Sequence, residues 1–331
     1  MVKVSIIVPV YNAENGIRKC LDSLRKQEMA DFECILVNDG STDSSGHICD
    51  EYANIDSRFH VIHKKNMGAS EARNTGIKES SGEWIVFVDS DDWVSPTYIS
   101  SFFDGEEADL IFQGIIKETG NKSKQIKFDC FPNHDFIENL YYIERKDLLG
   151  WTFNKMFKAN IIKGNDIRFP SNITLREDLI FTLQYIQHSK SITWRNNTTY
   201  HYIETPGSLM TRLKTYGELA TGNELLYHLR CQILQNYPLE KYKIWTENQY
   251  FNYKITIIRY AFYRKYRLSR ELRYNIIKEA TAIKTVNIHN LGKTDQIIYK
   301  IVKSCIPMFI KDTLINFISQ SHGRKHYKGQ A

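Results

Sequence analysis

The sequence predicts an α/β fold, a Rossmann-like and mostly parallel sheet flanked by helices, followed by a helical C-terminal region. Three observations carry this expectation. Apolar runs of strand length recur about every 25 to 30 residues over the first hundred, and apolar stripes at helical spacing lie between them. Beyond about residue 215 the strand signals give way to long segments rich in Tyr, Arg, Lys and Ile.

Val4, Ile6, Ile7 and Val8 form the continuous apolar run that a strand buried on both faces requires, and Pro9 is expected to end its ladder. Asn12 can cap a following helix whose stripe is Ile17, Cys20, Leu21 and Leu24. Cys34 to Val37 makes a second buried strand, closed by the turn-rich run Asn38 to Asp43, and Asp43 is placed to cap the next helix. Phe59 to His63 reads as a third strand, Ala69 to Ser80 as a helix closed by Gly82, and Trp84 to Val88 as a fourth strand. Later helices are expected at Asp178 to His188, Thr215 to Leu234, Tyr250 to Ala282 and, after Gly292, Asp295 to Phe317.

At 331 residues the chain allows one enlarged domain or two packed ones. Its 42% apolar and 25% charged residues exclude disorder and collagen-like repeats. The net charge of +6 hides an asymmetry, because residues 201–331 carry 21 basic and 9 acidic side chains while residues 1–200 carry 23 and 29. Two regions with different electrostatic tasks follow from that split. The six cysteines are scattered without C-x-x-C spacing, which suggests free thiols rather than a zinc site or disulfide framework. No apolar run is long enough to span a membrane and the N-terminal run is too short for a signal peptide, so a cytoplasmic location is expected.

Ligands of such sheets bind beyond the carboxyl ends of the strands. Strand one ends in Pro9, Val10, Tyr11 and Asn12, strand two in Asn38, Asp39, Gly40, Ser41, Thr42 and Asp43, and strand four in Asp89, Ser90, Asp91 and Asp92. Each cluster alone reads equally as a turn. Asp89 and Asp91 are one residue apart, so in extended backbone both carboxylates point to the same side and repel unless a cation lies between them. Mn²⁺ or Mg²⁺, with diphosphate oxygens and water completing the shell, is the natural filler. Dehydrogenase chemistry is disfavoured, because Y-N-A-E-N-G stands where G-x-G-x-x-G is needed, and no P-loop is present.

V-P-V-Y-N, V-N-D-G-S-T-D, G-A-S-E-A-R-N-T-G-I and F-V-D-S-D-D, in this order and spacing, resemble the nucleotide-binding half of bacterial family 2 glycosyltransferases of the GT-A fold, of the polysaccharide-biosynthesis type. A looser stretch, W-T-F-N-K-M-F-K from Trp151, R-E-D-L-I-F from Arg176 and Y-H-Y from Tyr200, extends the resemblance to about residue 210. The resemblance implies a catalytic domain over residues 1–214, in which residues 1–100 bind the nucleotide and residues 101–214 the acceptor, ahead of a basic, mostly helical region over 215–331. It implies that Pro9, Val10, Tyr11, Asn12, Asp39, Arg73, Asp89 and Ser90 bind the nucleotide sugar, with Tyr11 stacking on the pyrimidine and Asp39 accepting its N3 hydrogen. Asp91 and Asp89 would hold the metal. Arg73 reads alternatively as a helix-surface residue.

An in-line displacement at the anomeric carbon needs a base for the acceptor hydroxyl. Glu177-Asp178 matches the family's E-D pair, in which the Asp is the base; Glu177 is the near alternative, and both also suit the acidic first turn of a helix. Arg176 stands where many relatives have Gly. Lys155 could approach the diphosphate, although a Lys on a helix is more often solvated, and His201 reads as a wall residue rather than a metal ligand.

The implied activity is inverting, metal-dependent transfer from a nucleoside diphosphate sugar, UDP being the expected nucleotide, to a hydroxyl of a glycan acceptor, lipid-linked in capsule, exopolysaccharide or lipopolysaccharide synthesis. A noncatalytic nucleotide-sugar or carbohydrate-binding protein of the same fold is the rival. Lys254 to Arg273 holds seven basic residues against Glu271, interleaved with tyrosines, and suits an anionic membrane surface, as does the amphipathic 295–317 segment. Peripheral attachment to the inner membrane's cytoplasmic face would follow, whereas packing on the catalytic domain is the bland reading; no nucleic acid is expected.

Overall fold

The computed structural model describes residues 2–128, 135–173, 176–204, 216–262, 268–282 and 291–327. It divides into two compact units, residues 1–212 and 213–331.

The first unit contains strands β1 (Val4–Val10), β2 (Phe32–Asp39), β3 (Phe59–Lys64), β4 (Trp84–Phe87), β5 (Trp93–Val94), β6 (Leu110–Thr119), β7 (Lys122–Ile126), β8 (Lys155–Lys158) and β9 (Ile192–Ile203). Between them lie helices α1 (Ile17–Arg25), α2 (Ser45–Ile55), α3 (Ala69–Glu79), α4 (Phe136–Arg145), α5 (Ala159–Gly164) and α6 (Glu177–Ile186). The strands form one sheet in the order β3-β2-β1-β4-β8-β6-β9-β5, with β7 paired to β6. From β3 to β4 every pairing is parallel, as alternating strands and helices require. Beyond β4 the sheet becomes mixed: β8 is antiparallel to both β4 and β6, and β9 runs parallel to β6 and antiparallel to β5.

Local chemistry explains the parallel half. β1 and β2 are buried almost without interruption, as strands covered on both faces must be. α1 buries Ile17, Cys20, Leu21 and Leu24 against them. α3 crosses β1 so closely that a Cβ on Gly76 would overlap the Ile7 side chain.

Several local expectations change. Pro9 lies inside β1, where pairing with β2 continues after pairing with β4 has stopped at Ile7. Asn12 is no helix cap: it sits at φ 48°, its Oδ1 accepts from the Thr42 amide at 2.8 Å, and its own amide donates to Ser41 Oγ at 3.1 Å. It ties the end of β1 to the end of β2. Asp43 does serve the start of α2, accepting from the Ser45 amide at 3.0 Å.

The second unit is helical: α7 (Tyr216–Asn236), α8 (Glu240–Ala261), α9 (Arg270–Ala282), α10 (Lys293–Lys303) and α11 (Met308–Tyr327). Its core includes Phe251, Ile255, Ile258, Ile277, Ile298, Val302 and Ile315. The expected Tyr250–Ala282 helix is two helices, because Ser269 Oγ accepts from the Leu272 amide and starts α9 anew. Pro307 likewise begins a separate α11. Among the described residues no helix is long and apolar enough to cross a membrane. Cys20, Cys34, Cys49, Cys231 and Cys305 are free thiols, while Cys130 lies outside the described residues.

Candidate active site

β4 ends at Phe87, and the chain beyond it, Asp89 to Asp92, turns over the start of α1. A Cβ on Gly16 would lie 3.1 Å from Asp91 Cα, so glycine lets this helix start come up against the carboxylate turn. Asp91 is exposed and Asp89 is half-buried. Although Asp91 as a whole is exposed, the packed turn desolvates its carboxyl, and this and then the neighbouring Asp89 carboxylate raise the Asp91 carboxyl above its ordinary value.

Asp92 belongs to the scaffold. Its Oδ1 accepts from the Ile203 amide at 2.7 Å and its Oδ2 from the Tyr200 hydroxyl at 2.6 Å, and that hydroxyl in turn accepts from the Asp89 amide at 3.1 Å. Burial, reinforced by Asp89, pushes the Asp92 carboxyl up to about 8. β9 is thereby fastened to the aspartate turn.

Arg73 lies on α3 with 6% of its surface exposed, which excludes the helix-surface reading. Its Nη2 donates to Asp89 Oδ1 at 2.9 Å and its Nη1 lies 3.3 Å from Asp178 Oδ1. One guanidinium thus joins the strand-four aspartates to the E-D pair at the start of α6. The Nη1 and Oδ1 contact is ionic only; neither buried atom makes a hydrogen bond among the described residues. Burial pushes the Asp178 carboxyl up to about 7, opposed by Arg73 and reinforced by Glu177 and Asp89. Beneath the pair, Phe169 stacks on Phe181 of α6 with centroids 4.0 Å apart, and Arg73 lies over the Phe169 ring. Asn74 holds the Phe169 backbone at both ends, donating to its carbonyl at 2.9 Å and accepting from its amide at 2.8 Å.

Arg176 takes φ 59°, the left-handed conformation for which glycine is the easy residue. That conformation explains why a glycine would suit the position, and Arg176 adopts it at the start of α6.

The nucleotide-side residues are placed unevenly. Tyr11 is 51% exposed at the end of β1, whereas Val10 and Ser90 are buried. Asp39 is buried, with its oxygens taking Lys64 Nζ at 2.7 Å, the Met67 amide at 3.0 Å and the Gly68 amide at 2.7 Å. These contacts fix the Lys64–Gly68 loop around the Asp39 carboxylate. Lys155 is neither helical nor solvated: it starts β8, is fully buried, and donates to Trp151 O and Asn154 Oδ1. Burial holds its ammonium well below the ordinary lysine value. His201 is a wall residue, stacked on Trp93 with both ring nitrogens taken by Glu118 and Ser95.

Comparison with known proteins fits this geometry. A model of glycosyl transferase family 2 matches residues 5–164. The protein named "Putative glycosyltransferase EpsH" of Bacillus subtilis strain 168 is 35% identical over 248 residues, 72% of each chain. The chain belongs to glycosyltransferase family 2. It is a glycosyltransferase. A poly(ribitol-phosphate) beta-glucosyltransferase of Bacillus spizizenii is 36% identical over 213 residues, 61% of this chain but only 32% of that longer one. Residues 1–349 of Staphylococcus aureus TarS, crystallised with UDP-GlcNAc, share the fold with a TM-score of 0.65 at 20% identity, covering 98% of this chain and 92% of the fragment.

For this family member the sequence motifs point to Asp89, Asp91, Arg73, Glu177 and Asp178, but not to Asn74, Tyr200 or the structural role of Asp92. Asn74 stands in the A-R-N-T-G stretch and Tyr200 in Y-H-Y, so both fall inside the motifs. Their partners lie 95 and 108 positions away, which no local pattern reports.

Proposed function

We propose that the enzyme moves a sugar with inversion from a UDP-sugar to a hydroxyl of a cell-surface glycan. Asp89 and Asp91 would be the protein ligands of Mn²⁺ or Mg²⁺, and Asp178 the base. The observation that carries this reading is Arg73, which holds Asp89 and Asp178 on either side of one buried guanidinium. The TarS fragment's complex with UDP-GlcNAc supports UDP as the nucleotide.

The donor set suits a hard divalent ion. Two carboxylates one residue apart, one of them raised first by desolvation and then by the charge of the other, suit a cation. Among the described residues no third acidic, His or Cys ligand joins them, so substrate oxygens and water would complete the shell, as is usual for Mg²⁺ and Mn²⁺. When bound, the ion would neutralise charge on the departing diphosphate.

The chain's own residues supply the rest. Tyr11 offers an exposed ring to the base, and Asp39 holds the Lys64–Gly68 loop against which the base would rest. The acceptor oxygen forms a bond to the anomeric carbon as the bond from that carbon to the diphosphate oxygen breaks, its electron pair leaving with UDP. Asp178 takes the hydroxyl proton. Its elevated carboxyl value is that of a base poised near neutral pH, and Arg73 stabilises its ionised form.

Within 254–273, part of the positive charge is answered inside the second unit. Lys254 pairs with Glu224, Arg259 with Asp295 at 3.4 Å and Arg273 with Asp312 through bonds of 2.8 and 3.0 Å, while Arg264, Lys265 and Arg267 lie outside the described residues. Ile298 and Val302 are in the core and Lys311 is buried, which removes much of the 295–317 face as well. Among the described residues, Ile297 and Lys300 on α10 and Phe309, Ile310, Leu314 and Phe317 on α11 are exposed. We assign this face to an anionic membrane carrying a lipid-linked acceptor.

Release of UDP from a panel of UDP-sugars, with and without Mn²⁺, tests the activity, and the anomeric configuration of the product tests inversion. Asp91→Asn and Asp178→Asn should each lower kcat by about a hundredfold or more. Turnover that survives both substitutions and metal chelation would refute the assignment.

A further inference from the structure

Four near-parallel aromatic rings stand beside the aspartate turn. Phe153 stacks on Tyr200 with centroids 4.4 Å apart at 10°, on Tyr202 at 5.6 Å and 11°, and on Trp151 at 5.8 Å and 15°. Phe153 and Tyr200 are buried and need no explanation beyond packing. Trp151 and Tyr202 are only partly buried, although both pack against the main core.

Strand pairing and ring contacts set these two residues beside the aspartate turn. β8 runs antiparallel to β4 with Met156 beside Val86, and the turn just before β8 carries Phe153, which stacks on Tyr200, the residue whose hydroxyl accepts the Asp89 amide. β9 runs antiparallel to β5 with His201 beside Trp93, which sets Tyr202 next to Asp92, and the following amide, that of Ile203, is bound to Asp92 Oδ1. The Tyr202 hydroxyl is raised by burial and then by the charges of Asp92 and Asp91, which agrees with that position. Toward the other side, Lys155 Nζ donates to the Trp151 carbonyl and feels the charge of Asp178. The partly open rings therefore stand beside the aspartate turn, and the Trp151 backbone is bonded to a lysine that feels the charge of Asp178.

We infer that Trp151, with Tyr202 beside it, forms a stacking subsite for a pyranose ring. The inference rests on the glycosyl-transfer reading of this site. A pyranose presents one face of C–H groups, and the electron-rich face of an indole attracts them while excluding water. Stacking on Phe153 fixes the plane of Trp151 in advance, so little rotamer freedom is lost on binding. The buried Lys155, bonded to the Trp151 carbonyl, fixes the backbone. The ring held there is either the transferred sugar or the terminal sugar of the acceptor, and the test separates them.

Full-length wild type, Trp151→Ala and Trp151→Phe are compared with Mn²⁺ and UDP, UDP-glucose, UDP-galactose or UDP-N-acetylglucosamine as probes, by titration calorimetry and tryptophan fluorescence. If the donor sugar stacks, the affinity that a UDP-sugar gains over UDP falls at least tenfold in Trp151→Ala and is largely kept in Trp151→Phe, while UDP binding stays constant and certifies the fold. If the acceptor sugar stacks, UDP-sugar binding is unchanged and the KM for a methyl pyranoside acceptor, read by UDP release, rises at least tenfold with the same rescue by Phe. Changes below twofold in both arms overturn the subsite. Failure of wild type to bind UDP at all would instead overturn the donor-site reading beneath it.

Discussion

The Tyr200 hydroxyl donates to Asp92 Oδ2 across 2.6 Å while accepting the Asp89 amide at 3.1 Å. One phenol in β9 thus fixes the backbone of the first aspartate and the side chain of the third. Tyr200→Phe leaves the buried Asp92 oxygen and the Asp89 amide without that partner, a loss of about 1–3 kcal/mol for each unsatisfied buried group. Urea unfolding should show destabilisation in that range. Because the aspartate turn loosens, apparent Mn²⁺ affinity should fall as well, by roughly 10- to 100-fold. Full metal affinity in a destabilised variant would separate the phenol from the metal-side geometry.

Arg73 answers two carboxylates with one charge, so its removal should be costly in a pH-dependent way. Arg73→Met leaves Asp89 and Asp178 facing each other in a partly buried pocket, and breaking such a pair costs about 3–5 kcal/mol when both acids are ionised. At pH 6 the loss should be smaller, because Asp178 then binds a proton readily. Arg73→Lys should not restore stability, since a single ammonium cannot reach both partners as the planar fork does. Equal losses at pH 6 and pH 8 would show that Arg73 acts by packing on Phe169 alone.

The buried strands β1 and β2 were legible because a strand covered on both faces is apolar throughout, and the Asp89 and Asp91 pair because its spacing puts two like charges on one side. Lys155 was illegible for the opposite reason. β8 is four residues long, K-M-F-K, too short to show a period, and a lysine with full burial runs against ordinary usage. The role of Arg73 could not be read from α3 either. Its partners at 89 and 178 reach it through the sheet order and the Phe169–Phe181 stack, which are properties of the folded chain. In the basic 254–273 stretch, charge composition does not show that Glu224, Asp295 and Asp312 come back to meet Lys254, Arg259 and Arg273.

Activity should rise with pH through about 7. As the proposed base, Asp178 would have to be ionised to take the acceptor proton, and burial places its carboxyl near that value. Stability runs the other way. The folded protein holds the Asp178 proton more tightly than the unfolded chain, so between the unfolded and folded values stability falls as pH rises, and ionisation above about 7 leaves the full cost in place. Wild type should therefore lose stability relative to Asp178→Asn from pH 5 to pH 8, by at most about 1.4 kcal/mol per pH unit. Thermal unfolding of both proteins across that range provides the check. A difference that stays flat would mean that Asp178 is ionised throughout.

The open face of α10 and α11 makes the membrane assignment testable apart from catalysis. Phe309 is 55% and Phe317 73% exposed, and with Ile310 and Leu314 they lie on one side of α11, while Ile315 on the other side is fully buried. Lys293 and Lys300 are exposed on α10 with Ile297 between them. An apolar face flanked by lysines suits the boundary of an anionic bilayer, where each basic group adds about 1 kcal/mol and the rings insert below it. In sedimentation with phosphatidylglycerol vesicles the wild type should bind, less so in high salt, and should leave neutral phosphatidylcholine vesicles largely unbound. Phe309→Ser with Phe317→Ser should weaken binding at least tenfold and leave UDP-sugar turnover on a soluble acceptor unchanged. Binding that persists in this variant, or that ignores lipid charge, would count against the face; concentration-dependent dimerisation lost in the same variant would identify a second copy of the chain as its occupant.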